Sequence, residues 1–540
     1  MNTTSLTSLT GLEQLDSIGQ LTIENNSILT NLIGIEGIKR IKGDLSVTKN
    51  PALTNFTGLN NLLSLGGSLF VERNPVLINF SGLNNLTNFD GNYMTIKDNN
   101  SLSSLTGLNG LTTIHANFYI EKNPALVTLT GLNNISHIGQ LFIGENNSLP
   151  NLSGLDNLHS IGAMLDVSLN SALTSFSGLD SLVSVGDALS VNNNPALTSV
   201  VGLEKLETVG LIHLVDNKLL SSLNGLNKLT SIGYSLTIRG SDALSSLAGL
   251  NNLTELGGYL TIETNISLTS LYGLNKLKSI GEGCYIFDNK ALSSLSDFDL
   301  LDSIGTNLWI ASNPVLSDLS GLSKIKSITG SLKISNNSSL TTLNGLNGLT
   351  NVGDALQIGE YFGGNSSLNN LKGLDSLVSI GGALGIEKNM ALASLTGLDQ
   401  IKSNSIHDLL ISENPLLTYC AVKSICDYLG SPGGTIEIHD NAAGCNSQAG
   451  IDSTCRNLSV ENLTIDGGWL IYPNPASSSI TIETSKKGSF TISSINGKQL
   501  IKQEITEHIH TEDISVLPNG IYIVKLDGEK MVKIGRFVKH

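Results

Sequence analysis

The 540-residue chain predicts a mostly β protein, a parallel β-solenoid of about 17 turns followed by a small antiparallel β-sandwich. Three observations carry this. A Gly-Leu marker recurs at nearly constant spacing from Gly11 to Gly397. Between markers the apolar residues run with period two and then three, and no window shows the 3.6 of a helix. Beyond residue 468 the repeat gives way to alternating strands separated by Asn-Gly and Pro-Asn-Gly turns.

Self-similarity at a fixed period is the signature of stacked repeats. Marker spacings are 23 to 25 residues, except for a jump of 28 between Gly345 and Gly373, where YFGGNSS is inserted. Asp297 fills one skipped place. In ALTNFTGLNNLLSLGGSLFVERNP, residues 52–75, the Leu-x-Val segment alternates as a short strand with one buried face should. The Leu-x-x-Leu-x-x-Leu segment suits a tight return path, and Gly-Gly marks the corner.

An Asn follows the buried strand residue by three places in nearly every turn, Asn50, Asn74, Asn123, Asn170, Asn194, Asn265, Asn289 and Asn313 among them. Solenoid corners turn backbone polar groups inward, and a buried carboxamide can satisfy them together with its neighbour in the next turn. The column therefore predicts an internal Asn ladder, the alternative being an Asn-lined ligand site. Ser241 is its plain break.

The array occupies residues 1–417, and a cap follows at 418–457, since the last turn would otherwise expose its core. AVKSICDYL offers a short amphipathic helix for that end plate. Cys420, Cys426, Cys445 and Cys455 cluster in 36 residues, against one cysteine in the other 504. Clustered, even-numbered cysteines read as two disulfides with three possible pairings; zinc is the alternative, although no C-x₂-C knuckle is present. Cys284 falls at a buried strand position. Residues 458–468 form a polar linker, and 469–540 the β-sandwich.

The net charge of −15 argues against nucleic acid, which demands a basic face. No stretch approaches the length of a membrane span. The first twenty residues lack basic and apolar signal-peptide regions and begin partway through a turn, so the reading expects an export signal missing from this chain. No phosphate loop, H-E-x-x-H or C-x-x-C is present, no cofactor is implied, and the nine His are scattered. A binding protein is expected rather than an enzyme.

The outward strand positions carry more information. One column includes Phe70, Tyr119, Phe142, Tyr285 and Trp309, and a second holds Phe287 with Glu24, Glu72, Glu121, Glu263 and Glu387. With turns about 4.8 Å apart, Tyr285, Phe287 and Trp309 should form one exposed aromatic patch, suited to stacking on sugar rings or to packing against a protein. Alternatively, the rings simply stabilise the sheet by cross-strand pairing. The Glu column raises a polysaccharide-cleaving enzyme as a lesser possibility, and a structural surface or matrix component is the other alternative.

The pattern L-x-I-x-x-N-p-x-L-x-x-L-x-G-L-x-x-L-x-x-I-G, as in ALTSFSGLDSLVSVGDALSVNNNP, resembles the receptor L-domain family, a leucine-rich-repeat relative. That resemblance implies a right-handed solenoid. The array is longer than those receptor domains and has no cysteine-rich module beside it, so no signalling role is carried over. The tail resembles the type A sorting domain of the Bacteroidetes type IX secretion system: Tyr472-Pro473-Asn474-Pro475 matches its opening, Leu517-Pro518-Asn519-Gly520 its central turn, and the basic run to Lys539 its end. This resemblance implies export, the secretion machinery as partner, removal of the tail near 460–470, and a cell-surface or extracellular destination for an adhesion or binding scaffold with a glycan or protein ligand.

Overall fold

A computed structural model describes residues 6–360, 362–458, 469–484, 488–528 and 531–540. The chain divides into two compact units, Met1–Asp452 and Ser453–His540. The expected linker lies, after residue 458, outside the described residues.

In the first unit each turn contributes a strand to one long parallel sheet, from Leu21–Glu24 to Ile436–His439, with register irregularities at Ile138/Gln140 and Val185/Ala188. Leu260, Cys284 and Leu308 are successive partners, as are Thr261, Tyr285 and Trp309. On the return path Leu59 N–H donates to Phe56 O at 3.0 Å and Leu62 N–H to Leu59 O at 3.0 Å. Each tight turn sends every third side chain inward, which is the physical origin of the period of three. Leu59, Leu62 and Leu65 are all fully buried.

The Gly-Leu marker has a steric cause. Gly58 sits at φ 117, and a Cβ there would lie 1.9 Å from Leu32 O in the turn beneath. Asp297, which replaces the marker glycine, stands in a turn that tightens into a 3₁₀ helix, Ser296–Phe298, echoed by Ser320–Leu322 in the next turn. Burial raises the Asp297 carboxyl above its ordinary pKa, with a backbone hydrogen bond at Leu271 acting the other way.

Asn50 shows how the inner ladder works. Its N–H donates to Asn74 Oδ1 at 3.0 Å, and its Nδ2 donates to Ile23 O and Thr48 O, both at 3.0 Å. Asn74, Asn123, Asn170, Asn194, Asn265, Asn289 and Asn313 repeat the N–H donation to the next Asn Oδ1, all fully buried. The residue before each Asn is held in the left-handed region, as Lys49 is at φ 57 and Lys122 at φ 54. Side chains rarely adopt that conformation, and the ladder's hydrogen bonds hold it. Two ladder residues lie off the sequence spacing. Asn365 is displaced by the insertion yet accepts from Asn337 N–H at 3.1 Å, and Asn441 accepts from Asn414 N–H at 3.1 Å. Ser241 breaks the column, and its Oγ has no partner among the described residues.

Asn441 follows an additional strand, Ile436–His439, so the solenoid has about 18 turns where the markers predict about 17. The last turn lacks a Gly-Leu marker and is interrupted by the helix Lys423–Gly430, which buries Ile425, Tyr428 and Leu429. Tyr428 Oη donates to His407 O at 2.6 Å. Cys420 is disulfide-bonded to Cys445, and Cys426 and Cys455 are disulfide-bonded as well. Cys284 is a buried free thiol whose pKa desolvation pushes up to about 12.

The second unit holds two antiparallel sheets. Ser479–Thr484 pairs with Trp469–Tyr472 and Ile509–Asp513 in one; Gly488–Ser494 lies between Gln499–Ile505 and Gly520–Gly528 in the other, with Met531–Lys539 at its edge. Ile480, Ile482, Phe490, Ile492, Val524 and Phe537 form its core.

Candidate functional site

The ladder brings the three expected aromatics together. Tyr285 and Trp309 are register partners on neighbouring strands, with ring centres 5.4 Å apart at 87°. Phe287, two residues along from Tyr285 and therefore on the same face, lies 6.0 Å from Tyr285 and 6.2 Å from Trp309. The rings are half-buried rather than fully exposed. Part of that burial comes from the insertion: Phe362 reaches back to Phe287 at 6.3 Å, past the strands of Ala311 and Ser335. Both of those residues are small and buried, which leaves room for the crossing.

Gly283 decides how Tyr285 lies. A Cβ at 283 would fall 2.7 Å from two ring carbons and the hydroxyl oxygen of Tyr285, so the ring roofs this glycine and presents its other face away from the sheet. Asn307 Nδ2 donates to Tyr285 Oη at 3.3 Å. Tyr259 stands beside it at 5.9 Å, and a hydrogen bond to Glu282 raises the Tyr259 pKa. Trp309 thus forms a wall perpendicular to a flat floor. Lys333 Nζ covers the Trp309 ring at 4.9 Å, and its ammonium also lies 3.5 Å from Glu360 Oε2. Trp309 Nε1 is buried with no partner among the described residues.

Beyond Lys333 the same column continues with Gln357 and Gly385. The side chains of Gln357 and Glu387 lean over Gly385, each with an atom 3.4 Å from where a Cβ would be. Gln357 Oε1 and Glu387 Oε1 are both buried without a hydrogen-bond partner among the described residues. Burial, then Glu360, raises the Glu387 carboxyl above its ordinary pKa. Sequence reasoning missed Gly283, Tyr259, Phe362 and Gln357. Only Gly283 left a usable signal, a glycine two places before an outward aromatic.

Elsewhere on the face, Tyr119 and Phe142 stack upright at 4.5 Å and 7°, stabilising neighbouring strands as cross-strand aromatic pairs do. Glu24 and Glu121 are engaged by Lys49 and Lys97, both at 2.9 Å. The Lys97 pKa is raised, chiefly by its hydrogen bond to Glu121. His213 is half-buried, and desolvation lowers its pKa. Among the described residues no cluster of His, Cys, Asp or Glu is arranged to hold a metal, and no helix is long and apolar enough to cross a membrane.

In the tail, Asn474 clamps the final strand: Val538 N–H donates to Asn474 Oδ1 at 2.9 Å and Asn474 Nδ2 donates to Arg536 O at 3.2 Å. Leu517 is buried, and Tyr522 Oη donates to Pro518 O at 2.6 Å. Tyr472, Pro473, Pro475, Pro518 and Asn519 remain exposed, with Gly520 half-buried.

Residues 470–540 match the family described as the secretion system C-terminal sorting domain. A comparison with curated proteins found no match. Among solved structures, the chain is similar to a leucine-rich repeat protein from Bacteroides ovatus, at 14% identity over 64% of this chain and 88% of that one, with a TM-score of 0.19. At that level the likeness carries nothing about ligands. The chain is thus a parallel β-solenoid ending in a secretion system C-terminal sorting domain, the mark of export by the type IX route.

Proposed function

We propose that the solenoid is a non-enzymatic, secreted or cell-surface binding scaffold that recognises a glycan or protein ligand on its strand face around Tyr285, Phe287 and Trp309. The observation that supports it is the flat Tyr285 ring over Gly283 with Trp309 perpendicular beside it. An aromatic floor with a perpendicular aromatic wall on an open strand face is the shape that stacking ligands use. The sorting domain supports an extracellular setting, with the exposed Pro473, Pro475, Pro518 and Asn519 as the residues offered to the secretion machinery. On this reading the buried Asn column is structural, and the cysteine-bonded cap closes the last turn.

The test is a glycan and protein array probed with the full chain and with a Tyr285→Ala/Trp309→Ala variant. Saturable binding that the variant loses is the expected result. Equal binding by both proteins would remove the site from this face.

A further inference from the structure

Three features of the strand face are left over once the aromatic corner has been described. Gln357 Oε1 and Glu387 Oε1 are buried acceptors with no partner among the described residues. They lie on the same outward face as Tyr285, in the region where the insertion leaves the ladder. And the two nearby lysines already have carboxylate partners: Lys333 is 3.5 Å from Glu360, and Lys388 is 3.7 Å from Glu413.

A buried acceptor left without a donor costs free energy, and a ligand rich in donors would recover it. Tyr285, Trp309, Lys333, Gln357 and Gly385 are successive partners down one column. Four steps of about 4.8 Å carry a ligand roughly 19 Å from the Tyr285 floor to Gly385. That step is close to the advance of one sugar unit in an extended β-linked chain. The insertion borders this track on one side, with Phe362 against Phe287 and Glu360 against Lys333.

Resting on the aromatic-corner reading above, we infer that the face from Tyr285 to Glu387 is a lengthwise track for a neutral linear oligosaccharide, stacked on Tyr285 at one end and donating hydroxyls to Gln357 Oε1 and Glu387 Oε1 at the other. The ligand carries no acidic group because both nearby lysines already have carboxylate partners, which leaves no free positive charge for an acidic sugar. It is linear because the track follows the ladder axis. Both oxygens are closed off from solvent in this state, so binding rotates the half-buried Gln357 and Glu387 side chains outward. Neither oxygen gives up a hydrogen bond in doing so, and side-chain rotations of this kind are common on binding.

The experiment is calorimetric titration of the full chain with size ladders, dimer to hexamer, of cello-, laminari-, manno- and chito-oligosaccharides. In one series affinity should rise to about the tetramer and then level. Gln357→Ala/Glu387→Ala should lose roughly tenfold or more on the tetramer, the worth of one or two hydrogen bonds, and nothing on the dimer. Tyr285→Ala should lose both. Unchanged affinity of that double variant for the dimer separates acceptor loss from misfolding. Binding should also be insensitive to added salt.

If Tyr285→Ala abolishes binding while Gln357→Ala/Glu387→Ala matches the parent at every length, the track is wrong and the aromatic site stands. Affinity independent of length overturns the track equally. A chain that binds none of the four series overturns the sugar assignment, and an array hit on a protein that Tyr285→Ala loses would still leave the aromatic site in place.

Discussion

Two columns run the length of the same sheet, built by the same strands and advancing by the same step, yet their residues obey different rules. The inner one carries Asn at nearly every turn, interrupted at Ser241. The outer one reads Phe70, Thr95, Tyr119, Phe142, Asp166, Ser190, His213, Thr237, Thr261, Tyr285, Trp309, Lys333, Gln357 and Gly385. The inner side chain must meet fixed backbone groups, two carbonyls and the next turn's Asn, and only a carboxamide of that length offers donor and acceptor at once. The outer side chain meets only its neighbours and whatever lies on the sheet. Uniformity therefore reports the fold, and variety leaves a surface that can be specialised.

The largest effect should come from the inner column. Asn313→Ala removes the acceptor of Asn289 N–H at 3.1 Å and the donor to Ile286 O at 3.0 Å and Ala311 O at 3.0 Å, all buried. Orphaning buried groups costs about 1–3 kcal/mol each, so a loss on the order of 3 kcal/mol is expected in urea unfolding. Trp309→Ala, in the outer column, should cost only about 1 kcal/mol, the scale of a cross-strand aromatic pair. Equal losses would erase the contrast and make the aromatics sheet packing.

The difference also explains which features could be read from residues alone. The repeat, the strand positions and the Asn ladder follow from spacing, because each depends on contacts exactly one turn away. The grouping of Tyr285, Phe287 and Trp309 follows from the same step. What spacing misses involves displaced or folded-back chain. Asn365 re-enters the ladder after four extra residues; Asn441 does so beyond a helix; and Phe362 returns to a strand three ladder steps earlier. Their positions depend on the path of a loop, which no periodicity encodes. The flat pose of Tyr285 depends on the missing side chain of Gly283, a cue that periodicity also passes over.

A smaller effect, of opposite sign, should come from mending the inner column. Ser241 N–H still donates to Asn265 Oδ1 at 3.0 Å, while its own Oγ is buried without a partner among the described residues. Gly240 already holds φ 63, close to the left-handed values of the residues before the ladder Asn in other turns, such as Leu169 at φ 60. Ser241→Asn should therefore insert a carboxamide with little rearrangement and offer Asn217 an acceptor. A gain of about 1 kcal/mol is the expected worth of one net buried hydrogen bond. Because stability in stacked repeats is set between neighbours, hydrogen exchange should slow mainly in the turns of Asn217 and Asn265. A variant that destabilises would show that the inner rule is not general along the stack.

The smallest effect belongs to the outer face and is visible only through pH. Burial, then Glu360, raises the folded-state pKa of Glu387 above its ordinary value of 4.5. A carboxyl with a raised folded pKa binds its proton more tightly in the folded chain. Its contribution is fully present below the unfolded pKa and is lost as pH rises through the folded one. At neutral pH the ionised group is therefore a small liability, and Glu387→Gln, which carries no charge at any pH, removes it. The variant should unfold at a slightly higher temperature than the parent at pH 7, with the difference vanishing near pH 4. Glu24 and Glu121, far along the same face and already paired with lysines, should gain no stability on conversion to Gln. A Glu387→Gln variant that gains nothing at pH 7 would mean that the carboxylate is well solvated, and the outer face would then lack the polar anchor that sets its far end apart from the rest.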